Sequence, residues 1–382
     1  MKKSLSIKAI VATSVAFVLV LVPAANATTW KAGGASSVNG LMSACKAAYQ
    51  TATGDDFPYN GTGSGDGKTG MKNGTLDFAF SDSVDSSPKE GQIHLPAFVW
   101  PVAILANIAG DKRGLNLSTK TIAGIFSGEI KMWNDPAILA DNNRPVEVPV
   151  YKKDANGNVV KNAAGVPVVA KTVTKVLRHS FPAKSIVVYY RTKNSGTSNN
   201  LTRALNKLEP TIWTKSANDS FATAFPGDIT KEPSRFRGAA GSGDVANGVK
   251  KTLWSITYAE VGFAEAPYNL TIASVINGAG NAIKPTSDSA MAAAAKATIA
   301  ADGTVTFDYA TKSPAAYPFT ATTYALALTN YGDAKKAAGI KATLGYLANN
   351  CAKDNPKQGF GAYSATNEFS KAFASQLAKL GA

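Results

Sequence analysis

Three stretches place small hydroxylated residues and glycine where a helix could begin: Ala35-Ser36-Ser37, Gly63-Ser64-Gly65 and Ser195-Gly196-Thr197. The first N–H groups of a helix have no carbonyl one turn earlier, and with the helix dipole they attract anions. Each stretch alone is more often an ordinary N-cap. Arg191 precedes the third stretch by four residues, and its planar fork donates two parallel hydrogen bonds to an oxyanion. Taken together, the set points to one tetrahedral oxyanion held from several sides. Asp82, at the end of the apolar run Leu76 to Phe80, is either a cap or part of that site. A carboxylate there repels a fully deprotonated ligand but accepts a proton that the ligand carries. Phosphate near neutral pH keeps a proton and sulfate does not, so Asp82 would discriminate between them.

Other chemistries fail on residue type or spacing. Residues 65–70, GDGKTG, satisfy G-x-G-x-x-G, yet no clear strand precedes them and no acidic ribose ligand follows at the right distance. Gly67-Lys68-Thr69 imitates the end of a P-loop, but position 62, where the first glycine belongs, is Thr62. The chain has two His, His94 and His179, and two Cys, Cys45 and Cys351. That is too few for a zinc domain or a His-rich metal centre, and no H-E-x-x-H occurs. The expectation is therefore no metal, no cofactor and no catalytic residue.

Strands and helices must alternate to bring such residues together, and the pattern along the chain does alternate. Val38, Leu41, Met42, Cys45 and Tyr49 have helical spacing. Phe98 to Ile108 is a long apolar run interrupted by Pro101, and Ser118 caps a helix that ends at Gly128. Ile186 to Tyr190 reads as a strand leading into Arg191. Asn194 to Leu208 reads as a turn into a helix with Leu201, Leu205 and Leu208 on one face. Thr322 to Leu328 is a further strand, followed by helices through Leu380. This alternation predicts an α/β fold. Residues 146–176 differ in texture: two β-prone runs flank turn clusters at 154–157 and 164–167, which predicts a surface β-hairpin.

The first 27 residues read as an address. Lys2, Lys3 and Lys8 precede an apolar run from Ala9 to Val22, Pro23 breaks it, and Ala25-Asn26-Ala27 is an A-x-A cleavage site. Cleavage after Ala27 removes three lysines and lowers the formal charge from +14 to +11. The remaining basic residues are scattered and carry no aromatic stacking series, which argues for a bland basic surface and no nucleic acid. Export places Cys45 and Cys351 where disulfides persist. They either pair or remain two buried thiols.

The chain resembles the periplasmic phosphate-binding proteins of ABC-type phosphate importers, the PstS family. The resemblance runs through GGASS at 33–37, GTGSGDGKTG at 61–70, DFAFSDS at 77–83 and LSTKTIAGIFSGEIKMWNDPAI at 117–138. It continues through RTKNSGTS at 191–198, SITYAE at 255–260 and YPFTATTYALAL at 317–328. It implies the two-lobed periplasmic binding protein fold (type II), two α/β lobes joined by two crossing segments, closing on the ligand about a hinge. The first lobe would comprise 28–101 plus 320–382 and the second 102–319, with the hairpin near 146–176 as an insertion. The run near 98–104 and TTYALAL at 322–328 would be the crossings.

The resemblance also implies roles. Ser36, Ser37 and Ser64 would donate hydroxyls and N–H groups from the first lobe, and Asp82 would accept the ligand's proton. Arg191, Ser195, Gly196 and Thr197 would donate from the second lobe. The implied protein is a periplasmic monomer that takes inorganic phosphate to ABC permease subunits. Two positions depart from the family pattern. Ser36-Ser37 stands where Thr-Phe is usual, and Lys193-Asn194 replaces the Asp-Gly of R-x-D-G-S-G-T. The usual Asp orients the Arg; Lys193 cannot, and Asp82 is the candidate to take over. The competing readings are the same fold used for another oxyanion, a surface or adhesion protein exploiting the hairpin, and an exported phosphohydrolase.

Overall fold

In the computed structural model, the described residues are 27–109, 114–143, 145–162, 165–176, 179–362 and 367–381. The leader expected at residues 1–27 lies outside them except for Ala27. Two sheets organise the molecule. The first runs Tyr59–Asn60, Ala32–Gly34, Phe78–Ser81, Thr320–Leu328, Gln92–Pro101. Its first three strands are mutually parallel, and Thr320–Leu328 is antiparallel to both neighbours. The second runs Phe236–Ala239, Val187–Arg191, Ser255–Ala259, Ala103–Asn107, Thr271–Ile276, Ala282–Ile283, with Leu115–Ser118 also paired to Thr271–Ile276. Helices cover both sheets, so the central strands are buried on both faces and read as continuous apolar runs. Phe78–Ser81 and Ser255–Ala259 are buried at every position.

Local chemistry sets the element ends. Ser118 accepts from the Thr121 N–H to start the helix Thr119–Ser127, which ends at Gly128 with φ 87°, a left-handed value that glycine adopts without a Cβ clash. Ser195 accepts from the Ser198 N–H to start Gly196–Leu208. At the N-terminus the expected Ser36-Ser37 cap is absent. Ser36–Val38 forms a 3₁₀ turn ahead of the helix Asn39–Thr53, capped by no side chain, because both hydroxyls are used elsewhere.

The chain leaves the first sheet at Pro101, where Val102 separates Gln92–Pro101 from Ala103–Asn107. Two assignments from the sequence change here. TTYALAL is not a crossing but part of Thr320–Leu328, paired with Gln92–Pro101 along its whole length. And 102–319 does not stay with the second sheet. The helix Ser287–Ala294 and the hairpin strand Val305–Thr306 pack with Met71, Val99, Leu326 and Phe369 against the first sheet. Their apolar side chains complete a face that the N-terminal segments alone leave open.

Cys45 and Cys351 form a disulfide, with Cα atoms 5.3 Å apart across 306 residues of sequence. It ties the helix Asn39–Thr53 to the C-terminal helical region. The expected hairpin pairs Pro145–Tyr151 with Val169–Val176 and projects as an arm. Among the described residues no helix is long and apolar enough to cross a membrane.

Candidate functional site

The strand ends and helix starts converge where the two sheets face each other. Asp82 follows the strand Phe78–Ser81 and is 3% exposed. Its Oδ1 accepts from Ser37 Oγ at 2.7 Å and Thr323 Oγ1 at 2.6 Å; its Oδ2 accepts, among the described residues, only from Thr197 Oγ1, at 3.4 Å. The Asp82 N–H donates to Ser64 Oγ at 3.1 Å. Burial pushes the Asp82 carboxyl up from 3.8 to about 6, against the pull of these hydroxyls and of Arg191. At neutral pH it is mostly an ionised acceptor with spare capacity on Oδ2.

Arg191 ends the strand Val187–Arg191 and is 1% exposed. Its Nε donates to the Ala240 carbonyl at 2.6 Å, and its Nη1 to Ser36 Oγ at 2.9 Å and Ser242 Oγ at 3.1 Å. Its Nη2 is buried without a partner among the described residues. A guanidinium nitrogen left so in a protein interior is costly unless an acceptor comes to it. Gly63 lies alongside: a Cβ there would stand 3.7 Å from Nη2 and 2.9 Å from the Asn194 carbonyl. Gly196 brings the start of its helix against Asp82, since a Cβ on it would lie 2.6 Å from Asp82 Cβ and 2.7 Å from Ser64 Oγ. Glycine at both places is what lets the two walls meet.

The walls are also latched. The Gly65 N–H donates to the Asn194 carbonyl at 3.3 Å. Lys68 Nζ, from the first wall, pairs with Asp219 Oδ2 at 2.9 Å, both largely buried. Lys193 Nζ lies 3.5 Å from Asp66 Oδ2, both half-exposed. The site therefore contains one arginine with an open Nη2, one carboxylate with a half-used oxygen, hydroxyls, and the N-terminus of a thirteen-residue helix. Such a set has the chemistry to suit an oxyanion that still carries a proton.

Comparison with known proteins agrees with the architecture. A family model described as the PBP superfamily domain matches residues 22–350. The phosphate-binding protein PstS of Xylella fastidiosa (strain 9a5c) is 30% identical over 322 residues, 82% of this chain and 75% of the relative. The chain belongs to the PBP superfamily and to its PstS family. Phosphate-binding protein PstS 3 of Mycobacterium tuberculosis is 28% identical over 83% of this chain and 77% of the relative. Among solved structures, a high-affinity periplasmic phosphate-binding protein (PfluDING) bound with phosphate superposes with TM-score 0.64 at 22% identity. It covers 92% of this chain and 93% of its own. The phosphate-binding protein of Stenotrophomonas maltophilia gives 0.60 at 20% identity over the same shares. These two likenesses establish the fold.

All eight residues expected from PstS-like motifs, Ser36, Ser37, Ser64, Asp82, Arg191, Ser195, Gly196 and Thr197, lie at this one convergence. Their partners differ from expectation in places. The Ser37 hydroxyl is given to Asp82, and Ser195 Oγ caps its own helix. No hydrogen bond among the described residues joins Asp82 to Arg191, so Asp82 does not orient the arginine in the way expected of it. Sequence reasoning passed over Thr323, Ser242, Glu260 and Asn200, whose Nδ2 donates to the Asp82 carbonyl. Gly241-Ser242-Gly243-Asp244 has the same appearance as Gly63-Ser64-Gly65 and begins the helix Ser242–Lys251, so that signal was available. Thr323 carried none: it is one threonine in a strand. His94 is structural, its Nε2 accepting from the Asp85 N–H at 2.9 Å.

Proposed function

We propose that the cleft binds inorganic phosphate and that the protein, exported by its N-terminal leader, delivers it as a monomer to the permease subunits of an ABC-type importer. The observation that carries this reading is the pairing of the partnerless Arg191 Nη2 with the half-used Asp82 Oδ2 in one buried site. The arginine and the helix start draw an anion; the carboxylate admits only one with a proton to donate. Phosphate meets both conditions near neutral pH and sulfate meets the first alone. The names of the PstS relatives support the same ligand. Donors from the two walls complete the anion's shell only when the walls meet, so the ligand shifts the population towards closure. A carrier of this kind breaks no bond in its ligand and is not an enzyme.

Titration calorimetry on the mature chain tests this. Phosphate and arsenate, both protonated, should bind, with sulfate weaker by about ten-fold or more, because sulfate must face an ionised Asp82 or bind after Asp82 takes up a proton, which at pH 7 costs about 1.4 kcal/mol for a carboxyl at about 6. Equal sulfate affinity refutes the role of Asp82. Turnover of a chromogenic phosphoester by the pure protein refutes the carrier.

A further inference from the structure

The residue that usually steadies the arginine is missing here, yet Arg191 is firmly held. Lys193 is turned to the surface and paired with Asp66. Behind Arg191 lies a second carboxylate. Glu260 follows the strand Ser255–Ala259, is 6% exposed, and its Oε1 accepts from Ser242 Oγ at 3.2 Å. Ser242 Oγ in turn accepts from Arg191 Nη1 at 3.1 Å and stands 3.1 Å from Ser36 Oγ. A hydroxyl has one proton. With the Ser242 proton given to Glu260, Ser36 must be the donor in the Ser36–Ser242 pair, which leaves Ser36 Oγ to accept from Arg191. All four groups then have consistent directions.

We propose that Glu260, acting through Ser242, is the positioning carboxylate for Arg191, taking the role that an acid at position 193 would fill. The inference rests on the reading of the cleft as a phosphate site. The relay restrains Nη1 and, with the Ala240 carbonyl on Nε, fixes the plane of the guanidinium while leaving Nη2 open towards Gly63. A direct bidentate carboxylate would instead compete for the edge that the ligand needs. The location fits a buried countercharge. Glu260 sits in the interior with Arg191 favouring its ionised form, although burial, reinforced by Asp82, still pushes it up to about 7.

The test is phosphate calorimetry on wild type, E260A, E260Q, S242A and the double variant K193D/E260A, with thermal melting of each unliganded protein. E260A should lose about ten-fold or more in affinity. E260Q, which keeps an acceptor but no charge, should fall between it and wild type. S242A, which breaks the link and leaves both charges, should lose about ten-fold. K193D/E260A should recover most of the loss, because it restores an acid beside the arginine on the other side. E260A binding within about three-fold of wild type overturns the proposal. So does a loss that K193D leaves untouched, which would mean that Glu260 only packs. If E260A does not fold, E260Q and S242A decide: wild-type affinity in both overturns it. Wild type that binds no phosphate instead overturns the reading of the cleft itself.

Discussion

The cleft and the arm are built on opposite plans. In the cleft, Asp82, Arg191, Ser195, Thr197, Ser242 and Glu260 are all buried, polar groups placed where a soluble protein ordinarily puts apolar ones. The arm reverses this. Val150, Tyr151, Val159, Val166, Val169 and Val176 supply six of the seven large apolar side chains exposed among the described residues. Apart from Ser195, whose Oγ caps its own helix, each of these cleft side chains is held by partners distant in sequence. The arm is held by its own ladder from Pro145 to Val176, and a lone two-stranded ladder is marginal in water. Burial of polar groups is tolerated where a ligand and a network of hydroxyls answer them. The arm can vary because nothing in the cleft leans on it.

Four measurements sharpen or break that contrast, in order of expected size. Arg191→Ala removes the charged donor and should weaken phosphate binding by about 100- to 10,000-fold, two charge-assisted bonds being worth ~1.5–3 kcal/mol each. Binding within ten-fold of wild type would mean that the arginine is structural only.

Next is the stability of the unliganded protein against pH. The folded Asp82 carboxyl is raised from 3.8 to about 6, so the folded state holds a proton that the unfolded state has lost. Between those values stability falls as pH rises. Asp82→Asn lacks this term, so its stability relative to wild type should improve by about 2 kcal/mol on going from pH 4 to pH 7. Denaturant unfolding at the two pH values reads it; a constant difference refutes the raised carboxyl. The same variant should also narrow the phosphate-to-sulfate affinity ratio by about ten-fold.

Lys68→Ala severs the buried latch to Asp219 and should cost about 1–2 kcal/mol of closure, read as a several-fold faster phosphate release in stopped flow. Unchanged release would mean that the latch does not couple to the ligand. Smallest of all, replacing residues 146–176 by a short Gly-Ser linker should leave phosphate affinity within about two-fold. A larger change would tie the arm to the cleft.

Much of this was legible without coordinates. Arg191, Asp82 and the three helix starts announce themselves through residue type, since few side chains suit an anion and glycine with serine at a helix start is a local signal. The strands at 187–191 and 320–328 and the arm follow from runs whose period is local as well. Two things were not legible. Ser287–Ala294 and Val305–Thr306 join the first sheet rather than the second, because apolar alternation says that a face is buried but not against what. The role of Lys193 could be read only as a loss, because its compensation lies in Glu260, 67 positions further along the chain.

Sequence by itself determined the inventory: an α/β chain whose first residues read as an export leader, one arginine and one aspartate at strand ends, hydroxyls and glycines at helix starts, and few His and Cys. Tertiary structure decided the pairings. Thr323, 241 residues from Asp82, donates to its carboxylate; Ser242 joins Arg191 to Glu260; Cys45 meets Cys351. Hydrogen bonds and disulfides form between atoms a few ångströms apart, and only the packing of the two sheets sets which distant atoms those are.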